Sequence, residues 1–70
     1  MEIFAERLKE LRKEMKLTQI SLAQKTGLTK SAIGAWELNQ RQIGAESLVV
    51  LARFFKVSAD YLIGLKDTEN

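Results

Sequence analysis

The sequence contains neither cysteine nor histidine, and in a chain of 70 residues this pair of absences constrains the fold more than any motif does. A chain this short removes only about 60% of its unfolded surface from water, so its core is small. Domains of that size often add disulfides or a structural metal. Without thiols or imidazoles neither support is available. The chain must hold together by packing apolar side chains, with a partner subunit as the one further aid. It also lacks proline, which leaves helices uninterrupted.

The same absences remove most catalytic chemistry. There is no imidazole base, no thiolate nucleophile and no conventional zinc site. Asp60 and Asp67 are too scattered for a metal cage, and Gly27, Gly34, Gly44 and Gly64 stand singly rather than in a phosphate-cradling loop. No enzyme, metal, cofactor or small-molecule ligand is expected.

The net charge of +2 decides little, but its distribution leans. Residues 1–30 hold seven Lys and Arg against four Glu, whereas residues 31–70 hold four against five acids. That asymmetry fits an electrostatic footprint on a polyanion and equally fits a mixed, solvated surface. Glu2 and Glu6 interrupt the N-terminus where a signal peptide would be basic and then apolar. The longest purely apolar run, Leu48 to Ala52, is far short of a membrane span. A cytoplasmic, nucleoid-associated location is expected, with no membrane partner.

Apolar spacing predicts an all-α chain of five helices. Phe4, Leu8, Leu11 and Met15 recur at helical intervals and predict a first helix over about Ile3–Met15. Thr18 is an N-cap candidate for a second helix over about Gln19–Thr26, which turns Leu22 and Ala23 inward. Gly27 suits the left-handed residue that ends it. Thr29 caps a third helix reaching about Leu38, and Asn39 is a second left-handed stop. A polar connection leads to a fourth helix over about Ala45–Phe55, and Ser58 caps a short fifth helix closed by Gly64. One domain spanning 1–70 is expected, with its core over about 3–65 and a short polar tail at 66–70. A last helix ending near Gly64 fits both a complete small protein and the N-terminal part of a longer chain.

The informative stretch is "LTQISLAQKTGLTKSAIGAWE". Two short helices joined by "TGLT" form a helix-turn-helix arrangement over about 18–38, with Ala23 small at the crossing and Gly27 at the reversal. With Leu17-Thr18-Gln19, Leu22-Ala23, Gly27, Leu28-Thr29, Ile33, Trp36-Glu37 and the later "SLVVLARFFKVSADYLIG", the chain resembles the phage-repressor/Cro-type, XRE-like helix-turn-helix family. The resemblance covers about residues 3–65. It implies a compact five-helix lambda-repressor-like fold that binds double-stranded DNA and regulates transcription. The implied mode is repression, by a homodimer joined through its C-terminal helices on an inverted repeat. The second helix of the motif would enter the major groove while the first crosses the phosphate backbone.

The resemblance also assigns roles. Gln19 would meet backbone phosphate and steady its neighbours. Thr29, Lys30 and Ser31 open the recognition helix, where side chains reach base edges or phosphates: lysine can bond guanine, and serine can serve either role. Asn39, Gln40 and Arg41 lie in the loop after that helix, which such proteins turn toward phosphates. Ile43 and Gly44 depart from the family's usual proline and serine there, so the fourth helix has a weaker cap. Arg12 and Glu37 form a family-like ion pair, since Glu37 falls on the inward side of its helix and an unpaired buried carboxylate is costly.

The third helix raises a question of its own. At about 100° per residue, Ile33, Trp36 and Glu37 face inward, while Ser31, Gly34, Ala35 and Leu38 face outward. The family commonly places a long polar side chain where Ala35 stands. So bare a surface admits two readings. Gly34 and Ala35 let the helix lie close to the groove floor, with the Ala35 methyl meeting a thymine methyl; or direct readout is sparse and DNA shape supplies specificity. The sparse face also admits a different function, a protein-interaction or antitoxin-like module on the same fold. Ile20 stands where polar residues are usual, and Phe54, Tyr61, Leu62 and Leu65 supply candidate apolar surface for a dimer seam.

Overall fold

The computed structural model describes residues 2–70, and over that range the chain forms five helices. They are α1 (Glu2–Glu14), α2 (Gln19–Thr26), α3 (Lys30–Glu37), α4 (Ala45–Phe55) and α5 (Ala59–Leu62). The all-α, five-helix expectation holds.

Local chemistry explains where the helices start. Thr18 Oγ1 accepts from Ser21 N at 3.0 Å, Thr29 Oγ1 from Ala32 N at 3.1 Å and Ser58 Oγ from Tyr61 N at 3.0 Å. Each satisfies an amide that the helix itself leaves unpaired. Gly44 precedes α4 with no side-chain cap, as its residue type dictates.

Four of the five helix ends share one device. At the close of α1 and α4, Lys16 and Lys56 take φ near 58°, Asn39 takes 56° after α3, and Gly64 takes 90° after α5. In each case the next amide reaches back five residues, as in Leu17 N to Arg12 O at 3.1 Å and Val57 N to Ala52 O at 3.0 Å. This double closure satisfies the last carbonyls and drops the next residue onto the globule. Leu17 and Val57 both pack on the core as a result. Because α1 stops at Glu14, Met15 leaves the apolar stripe predicted for it and is 49% exposed.

One core joins all five helices. Phe4, Leu8 and Leu11 of α1 meet Leu22 of α2, Ile33 and Trp36 of α3, Leu51 of α4 and Leu62 of α5. Phe4 and Trp36 pack edge to face with ring centroids 6.3 Å apart, a favoured aromatic geometry. This packing determines which side of α3 meets solvent. Its buried side holds Ala32, Ile33, Trp36 and Glu37, and the core gripping them leaves the opposite side standing outward.

Arg7 provides a fastening that no sequence motif announces. Its guanidinium lies 4.0 Å from the Tyr61 ring centroid, and Nη1 donates to the carbonyls of Tyr61 and, at 2.8 Å, Lys66. The polar tail is exposed, and Glu69 O accepts from Ser58 N at 2.7 Å. The expected C-terminal apolar cluster divides: Leu62 is fully buried, Phe54 and Tyr61 are half-buried, and only Leu65 stands free at 72% exposure.

Candidate nucleic-acid interface

The candidate interface is built on the α2–turn–α3 unit. Three residues separate the helices. Gly27, at φ 78°, donates its amide to Ala23 O at 2.9 Å, which ends α2. The Thr26 hydroxyl then donates to Leu22 O at 2.7 Å and accepts from Leu28 N at 3.3 Å, so the turn is pinned by its own side chain. Leu28 packs partly into the core beneath.

The two helices are locked together at their far ends by one carboxylate. Arg12 Nε lies 2.7 Å from Glu37 Oε2, and Arg12 Nη2 donates to Oε1 at 2.9 Å, a bidentate pair. Gln19 Nε2 donates to the same Oε1 at 3.1 Å. Arg12 Nη1 donates in addition to Leu17 O at 2.8 Å, so the linker between α1 and α2 joins the network. The Glu37 side chain is only 2% exposed and that of Arg12 12%. Burial pushes the Glu37 carboxyl upward, but hydrogen bonds from Arg12 and Gln19 and the charges of Arg12 and Lys9 outweigh it, so its pKa lies below the ordinary value. The hydrogen bond to Glu37 raises Arg12 in turn, against the desolvation of its guanidinium. The network fixes the roll of α3 against α1 and α2.

With α3 so held, Lys30 and Ser31 are exposed at its start, Gly34 and Ala35 are half-exposed along its middle, and Leu38 is exposed at its end. Thr29 is exposed while its hydroxyl serves as the cap. Asn39, Gln40 and Arg41 are exposed immediately after, where Gln40 N closes the helix on Ala35 O at 2.9 Å. The sequence-derived residues from 29 to 41 are therefore exposed or half-exposed, while Arg12 and Glu37 meet in a buried pair. Gln19 is half-buried and belongs to both groups.

Gly34 is not bare for want of room. A methyl group there would sit 3.5 Å from Gln19 Oε1, an ordinary contact, and its backbone does not require glycine. What lies against it is the Gln19 carboxamide, a neighbour that sequence spacing gave no reason to place there.

Residues 8–62 match the model of the family described as helix-turn-helix. The chain belongs to this helix-turn-helix family. Its relatives include the uncharacterised helix-turn-helix-type transcriptional regulator YobD of Bacillus subtilis (strain 168), 43% identical over 93% of this chain. The chain spans 58% of YobD's length. Among solved structures, the helix-turn-helix domain superposes on the P22 c2 repressor in complex with synthetic operator 9T. That match has a TM-score of 0.84 and 29% identity, covering 94% of this chain and all of the other. It also superposes on the restriction-modification controller protein C.AhdI from Aeromonas hydrophila, with a TM-score of 0.78 and 33% identity over 87% of this chain and 92% of that one. The helix-turn-helix chain thus has the phage-repressor fold expected from its sequence.

Proposed function

We propose that this chain is the DNA-binding part of a transcriptional regulator, acting as a sequence-specific repressor on an inverted-repeat operator. The observation that carries the reading is the outward edge of α3, with Lys30 and Ser31 exposed on a fold that superposes on an operator-bound repressor. In this reading α3 lies in the major groove and α2 crosses the backbone, with Gln19 at its first turn. Lys30 and Ser31 meet base edges or phosphates, and Arg41 with Asn39 and Gln40 meets phosphates. A homodimer formed through the C-terminal helices would set two copies of α3 about 34 Å apart on one DNA face. Leu65, Val49 and the half-buried Phe54 supply apolar surface for that seam. No helix among the described residues is long and apolar enough to cross a membrane.

The sparse outward face of α3 favours one other reading, a protein-interaction module of the antitoxin kind. Binding of DNA selected from a random pool, measured at two salt concentrations, separates the two. The repressor reading expects Kd to weaken steeply with salt, each phosphate contact adding about 0.9 to the log–log slope. Lys30→Ala and Arg41→Ala should weaken binding, and whichever of the two contacts phosphate should lower that slope. DNA binding that ignores salt, or ignores both substitutions, would contradict it.

A further inference from the structure

The middle of the outward face of α3 offers little to hydrogen-bond with. Residues 31, 34, 35 and 38 recur along it, and beyond Ser31 they are glycine, alanine and leucine. The nearest amide side chain, Gln19, gives an N–H to Glu37 Oε1 at 3.1 Å and lies with its carboxamide against Gly34. The long side chain that could reach past it is absent. Ile20, next in the chain, is 54% exposed and extends the apolar character to the start of α2.

A base edge pressed against such a surface loses its water. Guanine, adenine and cytosine turn acceptors or an amino donor into the major groove, and leaving those unpaired is unfavourable. Thymine turns an O4 acceptor there as well, but it alone adds a 5-methyl group, which gains by leaving water. Every base pays for polar groups left unpaired, and only thymine offsets that cost with an apolar contact, so the surface prefers thymine.

Building on the repressor reading above, we propose that Ala35 reads the 5-methyl group of thymine in the major groove, and that this contact sets base preference at the centre of each half-site. Gly34 serves the contact by keeping the helix surface low beside it. Lys30 and Ser31 remain for polar readout at the N-terminal end of α3.

The test uses the tightest-binding duplex selected from random DNA, resynthesised with uracil in place of one thymine at a time. Each substitution removes a single methyl group and leaves the pairing edge intact. Kd is expected to weaken about fourfold at the thymine facing Ala35. Ala35→Ser, which adds only a hydroxyl group to a half-exposed side chain, should shrink that thymine-over-uracil ratio and leave the other positions unchanged. Uracil tolerated at every thymine, or a ratio unmoved by Ala35→Ser, would overturn the assignment while sparing the repressor reading. A random pool that yields no selected sequence would overturn the reading beneath it.

Discussion

Gln19 Nε2 donates to Glu37 Oε1 at 3.1 Å, which ties the first residue of α2 to the last residue of α3. The helix-turn-helix is thereby closed at both ends: by the three-residue turn at one, and by a carboxylate shared with Arg12 at the other. In the repressor reading, a side chain that approaches phosphate is thus coupled through one oxygen to the buried charge that orients the recognition helix.

The first prediction concerns that charge. Arg12→Ala leaves the buried Glu37 carboxylate without its cation and should destabilise the fold by about 3–5 kcal/mol. A domain of this class has only about 5–15 kcal/mol in total, so the variant should sit near its unfolding limit. Replacing both partners, as in Arg12→Met with Glu37→Leu, should restore stability to near the original, while DNA affinity stays reduced because the hydrogen-bond network that fixes the roll of α3 is gone. Urea unfolding followed by the fluorescence of Trp36, the single tryptophan and a buried one, measures the first part. A loss below about 1 kcal/mol in Arg12→Ala would show the pair to be dispensable, since even exposed pairs reach that value.

Acid should release the same contact. A carboxyl held below its ordinary value contributes its stabilisation fully above the unfolded pKa of about 4.3 and loses it as pH falls through the lower folded value. Stability should therefore decline as pH drops from about 5 toward 3. Glu37→Gln, with no carboxyl to protonate, should show a shallower decline over that range, readable as urea midpoints across a pH series. Parallel slopes for the two proteins would show that Glu37 carries none of the acid sensitivity.

Gly34→Ala separates folding from recognition. An alanine in a helix interior is favoured over glycine by about 1 kcal/mol, and here its methyl meets Gln19 in ordinary contact. The variant should be more stable by up to about that amount. Its DNA affinity should fall if α3 lies low in the groove. Increased stability with unchanged affinity would mean that the glycine serves no contact with DNA.

The helix starts give a fourth comparison. Thr18→Ala and Thr29→Ala each remove a capping hydrogen bond and should cost about 1 kcal/mol. Gly44→Ser supplies a cap that α4 lacks, in open space, and should add a few tenths of a kcal/mol. Thermal unfolding of the three variants should place them on opposite sides of the parent protein.

The caps also mark how far the fold is legible in the residues themselves. Thr18, Thr29, Ser58, Gly27 and Asn39 declare themselves because their side chains, or glycine's lack of one, act within a few residues along the chain. Lys16 and Lys56 do not, since a left-handed lysine is set by Leu17 and Val57 seating on the core rather than by lysine itself. Ending α1 at Glu14 is what turns Met15 outward. The outward face of α3 is legible from helical periodicity, and the Arg12–Glu37 pairing from the family resemblance. The Gln19 link to Glu37 and the Arg7 fastening to Tyr61 have no local signal, because each joins groups 18 or 54 residues apart through packing alone.

Whether α3 is the surface that meets DNA is decided most directly by titrating the isotope-labelled chain with the selected duplex, each backbone amide being monitored by NMR. Shifts are expected at Gln19 and Ile20, along Thr29 to Ala35 and through Asn39 to Arg41, with the Arg7–Tyr61 side undisturbed. Shifts centred on α5 and the start of α1, with α3 silent, would contradict the assignment.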